Sequence, residues 1–233
     1  MTLIYYLIFY FTAYSFIGWV AETLYCSIPK RKFVYRGFLN GPFCPIYGFG
    51  AIILILTLTS LRSNIFLMFV LSVIITSVIE YITSWILEVS FHTKLWDYSK
   101  KRFNLNGRVC LKNSILFGLM AVIFIVYLHP ILSRTLHYKF SDTIMKYTAI
   151  SFLCYFLIDT AVSVYTLLNI NITIKQIHSN KLSLKAISSY ENKIRTSKRI
   201  LFNRILKAFP NMKSQLHHES LRKLKEDIEK LRY

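Results

Sequence analysis

Cysteine is scarce in this sequence, and the few cysteines lack the spacing of a disulfide framework or a metal site. The 233 residues contain four, at Cys26, Cys44, Cys110 and Cys154, and none belongs to a CxxC pair. They lie in or beside apolar runs, which favours free thiols. A metal site built from Cys26, Cys44, Cys110 and His92 would lack the usual ligand spacing, so we expect no metal.

Acidic residues are also few. The chain has 11 Asp and Glu residues and 29 Lys and Arg residues, which gives a formal net charge of +18. Because 54% of the residues are nevertheless hydrophobic, the charges and the apolar residues must occupy different parts of the chain. No basic region precedes the first apolar run and no small-residue cleavage site follows it. We therefore interpret this run as a retained membrane anchor rather than a signal peptide.

Glycine and proline are scarce as well, but they are concentrated in one connection. The stretch YRGFLNGPFCPIYGFG, residues Tyr35–Gly50, holds four of the seven glycines and two of the five prolines. It separates two apolar runs, so we expect it to turn the backbone between two membrane spans. No Lys-Ser/Thr pair follows its glycines, which disfavours a phosphate-binding loop.

Apolar segments that could cross a bilayer dominate the chain before residue 175. Roughly 20 helical residues, at about 1.5 Å each, span about 30 Å of hydrocarbon. We predict an all-α fold: a polytopic integral membrane bundle of about five transmembrane helices over residues 1–174, and a basic cytoplasmic helical hairpin over residues 175–233. The predicted spans are Leu3–Ile28, Pro45–Leu61, Ile65–Phe91, Asn113–Ser133 and Tyr147–Ile174. The second is the shortest, so it is either a short helix or one with an irregular, buried start.

Positive charge indicates the orientation of the bundle. The first and third connections and the tail carry 25 of the 29 Lys and Arg residues, and the second and fourth connections carry 4. Because cytoplasmic loops carry the excess, we predict an outside N-terminus and a cytoplasmic C-terminus. The third connection mixes aromatic and basic residues between two spans, so its expected partner is an anionic inner leaflet rather than nucleic acid.

The tail changes character after Ile174. Apolar residues at helical spacing between Lys181 and Phe209 predict an amphipathic helix, and Pro210 with Asn211 would end it. The following segment, ESLRKLKEDIEKLRY, mixes charges of both signs and predicts a second helix. Two roles remain open for this basic hairpin: a cap that lies on the membrane, and a docking surface for a cytoplasmic partner.

Acidic residues within the apolar spans are the first candidates for function, because burying charge in a membrane is costly. Glu80 and Asp159 lie near the centres of their spans, and the spans contain no Lys or Arg to pair with them. They form a candidate polar path for protons or cations, or they join helices by accepting hydrogen bonds. His129 is expected to be a helix-packing donor.

Two further acids, Glu22 and Glu88, lie close to the basic connections. Arg36 and Arg108 occupy the connections nearest to them, so we predict that Glu22 pairs with Arg36 and Glu88 with Arg108. These charge-assisted pairs would pin the loops to the bundle.

An intramembrane enzyme acting on lipid is a less favoured alternative. Glu22, Glu88, Asp97, His92 and Arg108 could converge near the inner interface and perform acid/base chemistry. However, the sequence contains no HExxH, GxSxG or GxGD motif. We therefore expect no catalytic residues and no enzyme activity in this chain.

Four segments carry a resemblance to the type IV ABC-transporter permease family, also called CmpB-like. They occur in family order and extend over nearly the whole chain: FIGWVAETLY at Phe16–Tyr25, RGFLNGPFCPIYGFGA at Arg36–Ala51, LWDYSKKRFNLNGRVCLKNSILFG at Leu95–Gly118 and ILKAFPNMKS at Ile205–Ser214.

The resemblance implies a multi-pass protein of the bacterial cell membrane, acting as a transporter permease or a transporter-associated subunit. It also implies a separate ATPase subunit and a homo-oligomer, while the chain itself contains no GxxxxGK[ST] loop and is expected to bind no cofactor. A non-transporting membrane scaffold or regulatory protein is the alternative. The family-motif loop residues are Arg36, Gly37, Gly41, Pro42, Pro45, Tyr47, Gly48, Trp96, Asp97, Tyr98, Asn106 and Gly107.

Overall fold

The protein, seen in a computed structural model, is mostly helical, and the structure describes residues 2–139, 141–178, 196–209 and 212–214. Within these residues the helices are α1 (Thr2–Ser27), α2 (Pro45–Leu58), α3 (Ile65–Phe91), α4 (Leu111–Ile123), α5 (His129–Lys139), α6 (Asp142–His178) and α7 (Thr196–Ala208). A 3₁₀ turn, Thr59–Leu61, extends α2, and a π-helical turn, Phe124–Leu128, joins α4 to α5. The short strands are β1 (Thr93–Lys94), β2 (Asn104–Leu105), β3 (Val109–Cys110) and β4 (Lys213–Ser214); β1 pairs antiparallel with β4, and β2 with β3.

Four stretches in the described part of the chain are long and apolar enough to cross a membrane. They are Leu3–Ser27, Ile65–Phe91, Leu111–Leu136 and Asp142–Ile172. The prediction of a polytopic helical membrane bundle is thereby confirmed. The remaining predicted span corresponds to Pro45–Leu61, which is apolar but shorter. The residues just before it, 37–44, form neither helix nor strand, so a short helix and an irregular preceding segment, the two alternatives for this span, occur together.

The third long span is interrupted by the π-helical turn Phe124–Leu128, which precedes Pro130. Proline cannot donate a backbone hydrogen bond, and its ring clashes with the carbonyl four residues earlier, so a widened turn is a local solution. The Arg62 side chain donates to the Ile125 carbonyl at 3.0 Å. The disturbed backbone is thus supported by a cation from the connection between α2 and α3.

The chain divides into two compact units. Unit 1 consists of Met1–Ala21, Pro42–Thr83 and Tyr98–Ile158, and unit 2 consists of Glu22–Gly41, Ser84–Asp97 and Asp159–Tyr233.

Unit 1 contains close helix contacts at glycine. A Cβ atom on Gly48 in α2 would lie 2.6 Å from the Phe11 carbonyl oxygen and 2.3 Å from Ser15 Oγ, both in α1. A Cβ atom on Gly118 in α4 would lie 2.3 Å from Val73 Cγ2 in α3. Small residues at such points let transmembrane helices approach closely and gain packing contacts.

Unit 2 has a hydrophobic core to which α7 contributes its apolar face. The core includes Phe202, Ile205 and Leu206 of α7, Phe91 of α3, and Leu167 and Ile170 of α6. The β1–β4 pair also ties the residues after α7 to those after α3. The described part of the first predicted tail helix therefore packs against protein. The second predicted tail helix, ESLRKLKEDIEKLRY, lies outside the described residues.

Candidate functional site

The candidate site is built around Arg36–Gly41, here called the RGFLNG loop, which belongs entirely to unit 2. Its turn depends on Gly37, whose backbone φ of 100° is rarely adopted by residues with a Cβ atom. The Tyr35 hydroxyl donates to the Asn40 carbonyl at 2.7 Å and closes the turn from one side. The compact turn leaves other backbone amides and carbonyls of the loop to be bonded by side chains from elsewhere in unit 2.

Asp159 of α6 binds the amide groups of the RGFLNG loop with both carboxylate oxygens. Its Oδ1 accepts from the Asn40 backbone N–H and from Asn40 Nδ2, each at 2.8 Å. Its Oδ2 accepts from the Gly41 backbone N–H at 2.8 Å. Ser163, one turn further along α6, accepts from Asn40 Nδ2 at 3.2 Å. Because the carboxyl is buried, these donors compensate the cost of removing it from water.

Arg204 of α7 binds the carbonyl groups of the same loop. Its guanidinium donates to the Phe38 carbonyl at 2.8 Å and to the Leu39 carbonyl, and reaches the Gly37 carbonyl at 3.5 Å. A planar guanidinium presents five donors in a fixed fork, which suits several converging carbonyls. Burial lowers the pKa of Arg204, and nearby Tyr35 and Asp159 oppose that shift.

Arg36 links the start of the loop to two helices. Its guanidinium contacts Glu22 Oε1 of α1 through Nη2 at 2.9 Å and through Nε at 3.2 Å. It also donates to the carbonyl of Ala208, the last residue of α7, and lies over the Phe209 ring at 5.5 Å. A cation at a helix C-terminus is favoured by the helix dipole. The structure thus brings the predicted partners Glu22 and Arg36 together.

These four charged side chains, Glu22, Arg36, Asp159 and Arg204, are here called the clasp. Two are acidic and two are basic, so their formal charges cancel. Each engages the protein's own groups, and together they connect the RGFLNG loop to α1, α6 and α7. Their role in the structure is to hold the RGFLNG loop in place. Both oxygens of Asp159 accept hydrogen bonds from that loop.

The other central acid, Glu80, belongs to unit 1 and has a similar relation to the third connection. Burial, together with the charge and hydrogen bond of Glu80, raises the pKa of the Tyr98 hydroxyl. Tyr98 therefore remains a neutral donor to the Glu80 carboxyl, while Asn113 donates to the Tyr98 oxygen. Both predicted path residues are thus bonded to loops of their own units.

The third connection forms a β-hairpin whose turn is Asn106–Gly107. Both residues have positive φ, 54° and 69°, as the central residues of a type I′ turn do, and the Arg108 N–H donates to the Leu105 carbonyl at 3.0 Å. The Tyr81 hydroxyl accepts from Arg108 Nη1 at 2.8 Å and from Asn106 Nδ2 at 2.9 Å. The Arg108 guanidinium also lies over the Tyr81 ring at 5.0 Å. Arg108 therefore pins this hairpin to α3 through Tyr81.

Glu88, the last of the four acids, forms an ion pair with Lys94 at 3.6 Å in unit 2. Its pairing with Arg108 stays a prediction. Nearby, Asn171 of α6 donates to the Phe91 carbonyl at 2.7 Å and contacts the Thr93 hydroxyl at 3.1 Å. These bonds fix the turn that ends α3.

The remaining predicted residues occupy varied positions. Trp96 packs against the core of unit 2, and Asp97 is half-buried. Gly18 of α1 lies so close to Tyr47 that an added Cβ would be 2.4 Å from the Tyr47 Cβ. His129 is buried and shares a 2.8 Å hydrogen bond with the Tyr14 hydroxyl, in keeping with its expected packing role. Among the described residues, no group of three or more His, Cys, Asp or Glu could hold a metal.

Two residues of the site were missed by the sequence analysis. Arg204 could have been noticed, because it interrupts the apolar face of a predicted amphipathic helix. Asn40 lies inside the segment RGFLNGPFCPIYGFGA, but an asparagine in a loop gives no sign that it will bind a carboxylate 119 residues later in the chain.

Comparison with known proteins identifies the family of the chain. A family model described as "Putative ABC-transporter type IV" matches residues 9–164. The match includes the RGFLNG loop and Asp159 but ends before Arg204. No curated protein and no solved structure matches the chain.

Proposed function

We propose that this chain, which belongs to the family described as "Putative ABC-transporter type IV", is the permease or a permease-associated membrane subunit of a transport complex. The clasp would act as its coupling element. In this proposal the RGFLNG loop and α7 lie on the cytoplasmic side, where a partner can reach them, and the N-terminus lies outside. The proposed location is the bacterial cell membrane, and the proposed assembly contains more than one copy of the chain.

The observation that carries the proposal is the clasp itself. A displacement of α7 would act on the RGFLNG loop through Arg204, and on Glu22 in α1 through Arg36. The loop in turn is bonded to α6 through Asp159. Packed helices joined by charged hydrogen bonds switch between discrete arrangements instead of deforming gradually. A coupling element requires such switching.

A separate ATPase would supply the energy. The sequence contains no GxxxxGK[ST] loop, so this chain does not offer that type of ATP site. The test is affinity purification of the full chain from membranes in a mild detergent, followed by identification of bound subunits and an ATP hydrolysis assay. We expect an ATPase to be recovered, and we expect Arg204→Gln to reduce its recovery or its coupling.

Lys146→Gln is the control, because Lys146 is an exposed cation of α6, the helix that carries Asp159, and lies outside the clasp. It should leave recovery of the ATPase unchanged. If wild-type protein brings down no ATPase across several mild detergents, the permease proposal fails.

A non-transporting scaffold is the second candidate, and the occupation of both Asp159 oxygens by the RGFLNG loop favours it. Glu80→Gln distinguishes the two functions. The oxygen of the glutamine amide can still accept a hydrogen bond from Tyr98, but the amide group cannot take up and release a proton as a carboxyl group can. If cells with the Glu80→Gln protein behave like cells without the protein although its yield is normal, a polar path through Glu80 is supported. If they behave like wild-type cells, Glu80 is not part of such a path and the scaffold is favoured.

A further inference from the structure

Two segments of the chain repeat one pattern: three consecutive cations followed by phenylalanine. KRKF occupies Lys30–Phe33, and KKRF occupies Lys100–Phe103. We call them the basic-aromatic tetrads. The first follows α1 and belongs to unit 2; the second precedes α4 and belongs to unit 1. All eight side chains are exposed.

The first tetrad begins three residues after α1 ends at Ser27. The Lys30 N–H bonds the Ser27 carbonyl at 3.2 Å, and the Arg31 N–H bonds the Ile28 carbonyl at 3.2 Å, so the chain turns directly at the helix end. Arg31 has a φ of 48°, which is uncommon outside glycine. Phe33 is 71% exposed. Three residues reach at most about 10 Å, so this tetrad lies close to the end of a candidate membrane span.

The second tetrad is fixed to the end of another candidate span. The carbonyl of Phe103 accepts the N–H of Leu111, the first residue of α4, at 3.1 Å. Phe103 also has an unusual positive φ, 51°, and its side chain is 75% exposed. Leu105, two residues later, is exposed as well. The backbone therefore presents apolar side chains outward, next to three cations, at the margin of the membrane span.

Water solvates the three cations of each tetrad well but is a poor environment for the exposed phenylalanine ring beside them. The surface of an anionic bilayer suits both parts, since lipid phosphates attract Lys and Arg while a ring inserts at the boundary of headgroups and acyl chains. We propose that the two basic-aromatic tetrads are anchors for anionic phospholipid, with Phe33 and Phe103 as the inserted side chains. The anchors are independent of what the protein transports, or whether it transports at all.

The test uses the full chain in lipid nanodiscs and measures the depth of each ring. Phe33→Trp and Phe103→Trp proteins are placed in phosphatidylcholine alone or mixed with anionic phosphatidylglycerol. The lipids carry bromine on the upper acyl chain, which quenches tryptophan fluorescence at short range. The signal of the parent protein in the same discs is subtracted. We expect blue-shifted, quenched emission from the added tryptophan in anionic discs at low salt, and loss of most quenching in neutral discs and at high salt.

Ile74→Trp is the control. Ile74 is 54% exposed and is the tenth residue of the candidate span Ile65–Phe91, so its quenching should not depend on lipid charge. Replacing the cations of one tetrad by glutamine should lower the ratio of inserted to water-exposed tryptophan at that tetrad about fivefold per cation removed. The tryptophan of the other tetrad should be unaffected.

Three results would overturn the proposal. The added tryptophans could stay water-exposed in anionic discs, which would indicate a different occupant. They could be quenched equally in neutral discs, which would leave no role for the cations. Soluble RNA could produce the same blue shift in neutral discs, which would identify a general polyanion site instead of a lipid anchor.

Discussion

At the residue scale, the chemistry of Asp159 is set by the number of donors that converge on it. Three N–H groups from Asn40 and Gly41 lie 2.8 Å from its two oxygens. A carboxylate can accept all three, whereas a side-chain amide offers one oxygen and would turn an N–H group toward a donor. This position therefore requires the carboxylate of aspartate, and the nearly isosteric amide of asparagine does not replace it.

We predict that Asp159→Asn destabilises the protein by about 2–4 kcal/mol, because at least one buried N–H loses its acceptor and the charge-assisted bonds are lost. Thermal unfolding of the detergent-solubilised full chain would measure this as a lower melting temperature. Asp142→Asn is the control, since Asp142 is exposed at the start of the same helix and should change stability by less than about 0.5 kcal/mol. Equal melting temperatures for the two variants would contradict this role of Asp159.

At the element scale, α7 is held by an apolar face and by one cation that points into the RGFLNG loop. Isolated amphipathic helices of this kind often lie on membranes, and the sequence alone left that role open. The described structure shows the apolar face packed within unit 2. The deciding factor is the set of buried partners from α3 and α6, which no local pattern in α7 reveals.

We predict that Ile205→Ala loosens α7, because Ile205 is fully buried and its truncation leaves a cavity. The expected cost is about 2–5 kcal/mol. Hydrogen exchange of the α7 amides in the full chain should become faster. Lys146→Ala, at an exposed position of α6, should leave the exchange rates of α7 unchanged. Unaltered exchange in Ile205→Ala would show that the core of unit 2 does not hold the helix.

The contact between α1 and α2 gives a second prediction at the scale of elements. Gly48→Ala places a Cβ atom against a backbone carbonyl and Ser15 Oγ, so we expect a loss of about 1–3 kcal/mol through overpacking. Gly50→Ala is matched, since its Cβ would meet nothing nearer than Ile79 Cδ1 at 4.0 Å. Alanine is the better helix former, so Gly50→Ala should be neutral or slightly stabilising. Thermal unfolding distinguishes the two, and an equal effect at both positions would refute the close contact.

At the scale of the whole molecule, the orientation predicted from charge depends on whether α2 crosses the membrane. With its 3₁₀ extension it is apolar but shorter than the four long spans. If it crosses, the first and second connections face opposite sides. If it enters and returns on one side, they face the same side.

We predict that α2 crosses the membrane. Single cysteines, Lys32→Cys and Ser63→Cys, are introduced after the four native cysteines have been replaced, and intact cells are treated with an impermeant thiol reagent. Ser63→Cys should react directly, and Lys32→Cys only after permeabilisation. Both positions are exposed in the folded chain, so burial does not explain a difference. Labelling of both from the same side would exclude a full crossing and reverse part of the predicted topology.

The apolar runs of the sequence predict the membrane bundle and the approximate bounds of its helices, because such runs can satisfy their backbone in lipid only as helices. The sequence also indicated the Glu22–Arg36 pair, whose members lie 14 residues apart. That Asp159 binds the N–H groups of the RGFLNG loop and Arg204 binds its carbonyls becomes visible in the folded chain. These contacts join groups 118 to 167 residues apart, and hydropathy and local spacing carry no information about partners so distant along the chain.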